Sequence, residues 1–296
     1  MKGKALEIAA VVAAIAALGG CSGSSETSGS GEKAPGSGSR AAKLQITGSD
    51  TMLQLAQAWA GEFMKAHPDI QVTVSGGGSN TGLKALVNGT TDIANASREI
   101  KPSEREAIEK AGRKVVEFIV ARDALSVIVN PQNPVSELTM DQLKQIYSGQ
   151  VTNWKQVGGP DMNIVLNSRE SSSGTYTFFQ EHVLGKGVPF AATAMLQPST
   201  QQIVDNVAQD KGGIGYVGLG YMSPKVKMVK VKKDASSPAV PATAEDVVKG
   251  DYPLARPLYQ YMSSDPEGAA KAWIDWVLGP EGQAVVKKME FVPAKN

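Results

Sequence analysis

Lys43-Leu44-Gln45-Ile46-Thr47-Gly48-Ser49-Asp50-Thr51-Met52 is the stretch that decides the fold. Leu44 and Ile46 alternate with polar residues, the period of a half-buried strand. Thr47-Gly48-Ser49-Asp50 is turn chemistry. Met52, Leu55, Ala56, Trp59 and Phe63 then recur at helical spacing. The same order returns at once. Ile70, Val72 and Val74 alternate as a second strand, residues 75–80 form a Gly-rich loop, and Leu83, Leu86 and Val87 mark a short helix ending near Gly89. Residues 93–96 read as a third strand, leading into Ser97-Arg98. Ser103 with Glu106 reads as a capping box ahead of Ala107, Ile108 and Ala111. Strands alternating with short helices predict an α/β sheet.

The pattern continues downstream. Residues 115–120 and 125–129 are two β-rich runs, and Thr139 with Gln142 opens a helix closed by Gly149. Residues 164–166 are a strand running into Asn167-Ser168-Arg169, a Ser-rich loop and a helix with Tyr176, Phe179 and Val183. Ile203, Val204 and Val207 mark another helix, and residues 214–217 another strand. Residues 225–233 read as an exposed, Lys-bearing strand, and 258–262 as a late strand. Ala269, Ala272, Trp273 and Trp276 mark a late helix, with a last one after Pro280.

Composition narrows the function. Of 296 residues, 42% are hydrophobic and 20% charged, the profile of a folded globular chain. The net charge of +1 gives no electrostatic footprint for nucleic acid. One Cys excludes an internal disulfide framework, and two His with one Cys disfavour a zinc site of the Cys/His kind.

Lys2 and Lys4 precede an unbroken apolar run over residues 8–18, then Gly19, Gly20 and Cys21. The run is about half the ~20 residues that span a bilayer, so it reads as a signal-peptide core. Leu18-Gly19-Gly20-Cys21 resembles a lipobox, with Cys21 as the lipidated first residue of a bacterial lipoprotein. Residues 22–42 are Ser/Gly-rich and read as a flexible tether. A lipid at Cys21, a tether and a globular body predict a protein outside the cytoplasmic membrane (periplasm or cell surface), held to the membrane by its lipid alone.

Three places share one design of strand, small polar turn and helix start: Gly48-Ser49-Asp50-Thr51, Gly76-Gly77-Gly78-Ser79-Asn80 and Ser171-Ser172-Ser173-Gly174-Thr175. Helix N-termini present unpaired N–H groups and a positive dipole end. Ser and Thr add rotatable donors, and Gly lets backbone approach a ligand. Any one of these turns is an ordinary helix start. Three converging would cage a tetrahedral oxyanion with largely neutral donors. Arg169, just before the third turn, offers a planar fork suited to oxyanions. Gly213-Ile214-Gly215-Tyr216-Val217-Gly218 matches G-x-G-x-x-G but lacks the strand before and helix after that a dinucleotide site needs, so it reads as a buried strand. His67 and His182 have no nucleophile or metal partner nearby in sequence, and Trp273 and Trp276 read as core.

Four motifs, in this order, resemble those of the phosphate-binding proteins of bacterial ABC transporters. They are residues 46–52, the run Ser75-Gly76-Gly77-Gly78-Ser79-Asn80-Thr81-Gly82, the run Asp92-Ile93-Ala94-Asn95-Ala96-Ser97-Arg98, and residues 167–176. The likeness spans roughly residue 44 to the C-terminus. The resemblance implies a two-lobed periplasmic-binding-protein fold (type II) with the ligand in the interlobe cleft. Lobe one is expected at 43–121 plus 254–296, and lobe two at 122–253, with crossing strands near 121–123 and 252–257. Carried onto this chain, the resemblance gives Thr51, Met52 through its backbone, Ser79, Ser97, Arg169, Ser173, Gly174 and Thr175, and with Ser49, Asp50 and Arg98 beside them these form the expected phosphate-binding set.

One position departs from the pattern. Some family members carry, just after the Ser equivalent to Ser97, an Asp that accepts the proton of phosphate; here that position is Arg98. We expect Asp50 to take that role. The leading function is a non-enzymatic inorganic phosphate receptor, monomeric and without cofactor, serving a permease and ATPase. A receptor for sulfate, molybdate or tungstate is the alternative. A secreted phosphatase is a poorer fit, since no nucleophile with a base and no metal ligand set is in evidence.

Overall fold

The computed structural model describes residues 41–295; the leader, Cys21 and nearly all of the expected tether lie outside the described residues. The chain runs β1 (Ala42–Gly48), a 3-10 turn (Asp50–Met52), α1 (Leu53–Ala66), β2 (Ile70–Ser75), α2 (Ser79–Asn88), β3 (Ile93–Ala96) and α3 (Pro102–Lys110). Next come β4 (Val116–Val129), β5 (Glu137–Thr139), α4 (Met140–Tyr147), β6 (Val165–Arg169), α5 (Gly174–Phe179), a π-turn (Gln180–Leu184), β7 (Met195–Gln197), α6 (Thr200–Gln209) and β8 (Gly213–Gly218). The remainder is β9 (Lys227–Lys232), α7 (Ala244–Lys249), β10 (Ala255–Met262), α8 (Gly268–Leu278), α9 (Pro280–Lys288) and β11 (Val292–Pro293).

The strands are ordered β2-β1-β3-β10-β4-β8-β6-β7, with β9 and β11 also pairing β4 and β5 pairing β9. β1 lies parallel to β2 and β3, and β6 parallel to β7 and β8. Parallel strands deliver their carboxyl ends, and the turns that follow, to one edge of the sheet. β1, β2 and β3 run in the direction of β4, whereas β6 and β8 run against it, so the carboxyl ends of the two parallel sets face each other along β4 and bring together three polar turns that are far apart in sequence.

Two large hydrophobic cores divide the chain. An N-terminal core gathers Leu44, Ile46, Trp59 and Phe63 with Val120, Leu258, Trp273 and Phe291. A central core gathers Leu125, Val127, Tyr147 and Trp154 with Tyr216, Val229 and Leu254, and also takes Val292. Trp59 and Trp154 are fully buried, and each indole N–H donates to a glycine carbonyl, of Gly282 and Gly212. Burying a large apolar side chain contributes about 1.5–3 kcal/mol, and the paired N–H keeps that gain from being cancelled.

Three strand segments link the cores. The two β-rich runs expected separately are one strand, β4, whose first half pairs antiparallel with β10 and whose second half pairs with β8 and β9. The polar Arg122-Asp123 that divides the runs in sequence continues the ladder, because Asp123 sits opposite Arg256 of β10. That pair is an ion pair at 2.8 Å, with Asp123 wholly buried and Arg256 3% exposed. β11 is the third link: Phe291 packs in the N-terminal core and Val292 in the central one.

Other expectations are corrected in detail. β1 begins at Ala42, inside the expected tether. The helix expected after Ser103 starts at Pro102, and Glu104, not Glu106, reaches back to accept the Lys101 N–H at 2.8 Å. Pro at the first helical position is preorganised for helix and has no N–H to leave unpaired. β9 is not uniformly exposed: Val229 and Val231 are fully buried while Lys230 faces solvent. The Thr139/Gln142 box is as expected, with reciprocal bonds of 3.0 and 2.8 Å. The segment 213–218 is wholly buried strand, and a Cβ on Gly215 would lie 2.4 Å from Ile203.

Candidate functional site

Four hydroxyls meet where the carboxyl ends of the two parallel strand sets face each other. Thr51 Oγ1 lies 2.8 Å from Thr175 Oγ1, Ser97 Oγ lies 3.4 Å from Thr175 Oγ1, and Ser79 Oγ lies 3.4 Å from Ser97 Oγ. The Ser97 N–H donates to Ser79 Oγ at 3.1 Å. All four residues are at least 98% buried. Each follows a strand: Thr51 after β1, Ser79 after β2, Ser97 after β3 and Thr175 after β6.

Glycines let these groups converge. Gly48 ends β1 at φ +145°, and a Cβ there would lie 2.2 Å from the Asn95 carbonyl oxygen. Only a residue without a Cβ takes both that conformation and that approach. A Cβ on Gly174 would lie 2.3 Å from Ser79 Oγ and 2.9 Å from Ser97 Oγ. The N-terminus of α5 is therefore seated against the hydroxyls of Ser79 and Ser97, which follow β2 and β3. Ser173 caps that helix, its Oγ accepting from Thr175 N–H at 3.1 Å, and its own hydroxyl proton stays free to donate. Ser49 Oγ is buried with no partner among the described residues. Met52 N–H, expected as a donor, closes its own turn onto Ser49 O at 3.1 Å.

Arg169, the end residue of β6, is 1% exposed and locked in place. Its Nε donates to Gln197 O at 3.2 Å, Nη2 to Pro198 O at 2.9 Å and Nη1 to Thr200 Oγ1 at 2.8 Å. Nη1 also lies 3.4 Å from Asp50 Oδ2. Burial pushes the guanidinium below its ordinary value and the Asp50 charge pulls it back up; it stays a cation. Asp50 Oδ2 accepts the Thr200 N–H at 2.6 Å, and the Asp50 carbonyl accepts the Tyr221 hydroxyl at 2.7 Å. Burial, and next the Asp50 charge, push the Tyr221 phenol up, so it remains a donor.

Arg98 is not brought into this group. Its Nη1 and Nη2 fork onto the two carboxylate oxygens of Glu104 at 2.9 and 2.7 Å, and it also donates to Glu99 O and to Asn80 Oδ1. A bidentate carboxylate at the third residue of α3 holds it away from the hydroxyls.

Sequence reasoning missed several residues. Asn80 reaches across to the Ser-rich turn, its N–H donating to Ser172 O at 3.0 Å and its Nδ2 to Ser171 O at 2.8 Å. Ser199-Thr200 is a legible helix start, but nothing local pairs it with Asp50, 150 positions away. Tyr221 and the Asp123–Arg256 pair likewise arise only from the fold.

An α/β chain with two cores, three linking strand segments and a buried polar seam between them is a two-lobed solute-binding protein of the type II periplasmic-binding class. Residues 33–281 match the model of the PBP superfamily domain. The phosphate-binding protein PstS of Pseudomonas aeruginosa is 34% identical over 267 residues, covering 84% of this chain and 82% of that protein. PstS of Bacillus subtilis is 31% identical over 283 residues, covering 95% and 90%. A Clostridium perfringens substrate-binding protein assigned to phosphate ABC transport, solved with bound phosphate, superposes with a TM-score of 0.78 at 32% identity, covering 85% of this chain and 99% of that one. The chain belongs to the PBP superfamily and, within it, to the PstS family of phosphate-binding proteins.

Proposed function

We propose that this protein is a receptor for inorganic phosphate that delivers its ligand to an ABC importer. The observation that carries the reading is the convergence of the Thr51, Ser79, Ser97 and Thr175 hydroxyls beside an immobilised Arg169 and the carboxylate of Asp50. The hydroxyls, the Ser173 hydroxyl and the Gly174 N–H at the start of α5 donate to phosphate oxygens, and Arg169 balances their charge. The buried, unpartnered Ser49 hydroxyl joins them. The names of the relatives and the phosphate bound by the Clostridium perfringens protein support the same ligand.

The lobes are 43–121 plus 254–296 and 122–253. The division of the two cores between Ala121 and Ala124, and between Leu254 and Leu258, supports these boundaries, with Leu254 and Val292 reaching across. Ligand then sits where the lobes shut, and hinge motion of β4, β10 and β11 admits and releases it. The protein works as a monomer outside the cytoplasmic membrane, anchored through a lipid on Cys21. Among the described residues no helix is long and apolar enough to cross a membrane.

Asp50 separates phosphate from sulfate, molybdate and tungstate. Phosphate near neutral pH keeps a proton that a carboxylate accepts; a fully ionised oxyanion meets the same carboxylate as an unrelieved repulsion. Binding of labelled phosphate with sulfate and molybdate as competitors tests this. The wild-type protein holds phosphate against either competitor, and Asp50→Asn weakens phosphate by about tenfold or more while sulfate becomes an effective competitor. Unchanged selectivity in Asp50→Asn overturns the role of Asp50. Release of phosphate from a model ester would replace the receptor with a hydrolase.

A further inference from the structure

Asp50 is held from the far side of the seam. Its turn follows β1 beside the N-terminal core, whereas Thr200 and Arg169 stand on α6 and β6. Thr200 is the first residue of α6, with Ser199 capping the helix by accepting the Gln202 N–H at 3.1 Å. The Thr200 N–H is thus one of the donors that a helix leaves without an internal partner. It lies 2.6 Å from Asp50 Oδ2, and Thr200 is 2% exposed. The Thr200 hydroxyl accepts from Arg169 Nη1 at 2.8 Å, so a single residue touches both charged groups of the site.

The two oxygens of Asp50 are therefore unequal. Oδ2 takes the Thr200 N–H and faces Arg169. Oδ1 has no hydrogen bond to a described residue, and its near neighbour is Gly76, where a Cβ would lie 3.4 Å away. An amide N–H gives a hydrogen bond and no proton, so it fixes the plane of the carboxylate without neutralising it.

We propose that Thr200 is the positioning residue for anion selectivity: its amide clamps Asp50 Oδ2 so that Oδ1 alone is presented to the proton of a bound hydrogen phosphate. This rests on the phosphate-receptor reading above and deepens it. Because the clamp and the carboxylate belong to different lobes, the clamp forms as the lobes shut, and the choice between a protonated and an unprotonated oxyanion is made in the closed state.

Position 200 permits a clean test. Pro is tolerated at the first residue of a helix, and Ser199 at φ −126°, ψ 157° has the extended backbone that a following Pro requires. Thr200→Pro removes the N–H and the hydroxyl, Thr200→Val the hydroxyl alone, and Thr200→Ser neither. Calorimetric titration of each purified protein with inorganic phosphate and with sulfate reads the outcome. Thr200→Ser keeps wild-type affinities. Thr200→Val weakens phosphate a few-fold with the phosphate-to-sulfate ratio unchanged. Thr200→Pro weakens phosphate by about tenfold or more and narrows the ratio by a similar factor. A wild-type ratio in Thr200→Pro overturns the proposal, while a wild-type protein that binds no phosphate overturns the receptor reading instead. Amide exchange supplies a readout that does not depend on Pro being accommodated. In the phosphate complex the Thr200 N–H exchanges at least about tenfold more slowly than in Asp50→Ala under the same conditions; equal rates overturn the clamp.

Discussion

At Gly174 the absence of one methyl group lets the two halves of the site meet. A Cβ there would press on Ser79 Oγ and Ser97 Oγ, which follow β2 and β3. The backbone at the start of α5 is ordinary, so Gly174→Ala strains only the contact with Ser79 and Ser97. Overpacking of this kind costs about 1–3 kcal/mol, and the lobe opening proposed above would relieve it. We expect Gly174→Ala to weaken phosphate binding by about tenfold in titration calorimetry, with the melting temperature of the ligand-free protein close to wild type. The convergence of Thr51, Ser79, Ser97 and Thr175 could be anticipated from the sequence, since each of them, like Arg169, stands where a strand gives way to a turn. Arg98 was misplaced because its partner, Glu104, is contributed by a helix whose true start at Pro102 was read two residues late. Thr200 and Tyr221 were invisible because what matters about each is a bond to Asp50 across 150 and 171 positions.

At the scale of elements, α3 is fastened to the rest of the fold through its first turn. Glu104 accepts the Lys101 N–H and forks onto Arg98, which in turn reaches Asn80 at the start of α2. Burial pushes the Glu104 carboxyl up, but the Arg98 hydrogen bonds, the Lys101 N–H and the Arg98 charge outweigh it, and the group titrates below its ordinary value of 4.5. A carboxyl whose value falls on folding adds stability that is present in full above the unfolded value and is lost as pH falls through the folded one. Urea unfolding of Glu104→Gln therefore shows its largest deficit against wild type near neutral pH, and the deficit shrinks below about pH 4.5. A deficit independent of pH would show that the Glu104 charge contributes nothing. Periodicity found most elements because apolar residues on one face mark a helix or a strand whatever they pack against. It divided β4 because Arg122 and Asp123 interrupt the apolar pattern, and the mate that lets a wholly buried Asp123 continue the strand, Arg256, stands on β10.

On the scale of the whole molecule, two cores share a sheet through β4, β10 and β11, and the polar seam between them is built from both sides. Thr51 meets Thr175, Asn80 meets Ser171 and Ser172, and Asp50 meets Thr200. The α/β class was readable, and the cores divide near 121–124 and 254–258, where polar or Pro-containing sequence separates one apolar run from the next. β11 was not, since two residues at the end of a chain carry no period of their own. A phosphate receptor must bind phosphate at this seam. Calorimetric titration of the ligand-stripped protein with orthophosphate tests it most directly. We predict saturable heat at one phosphate per chain, abolished in Arg169→Ala; a protein that releases no heat with orthophosphate, or an Arg169→Ala variant that binds as wild type, contradicts it.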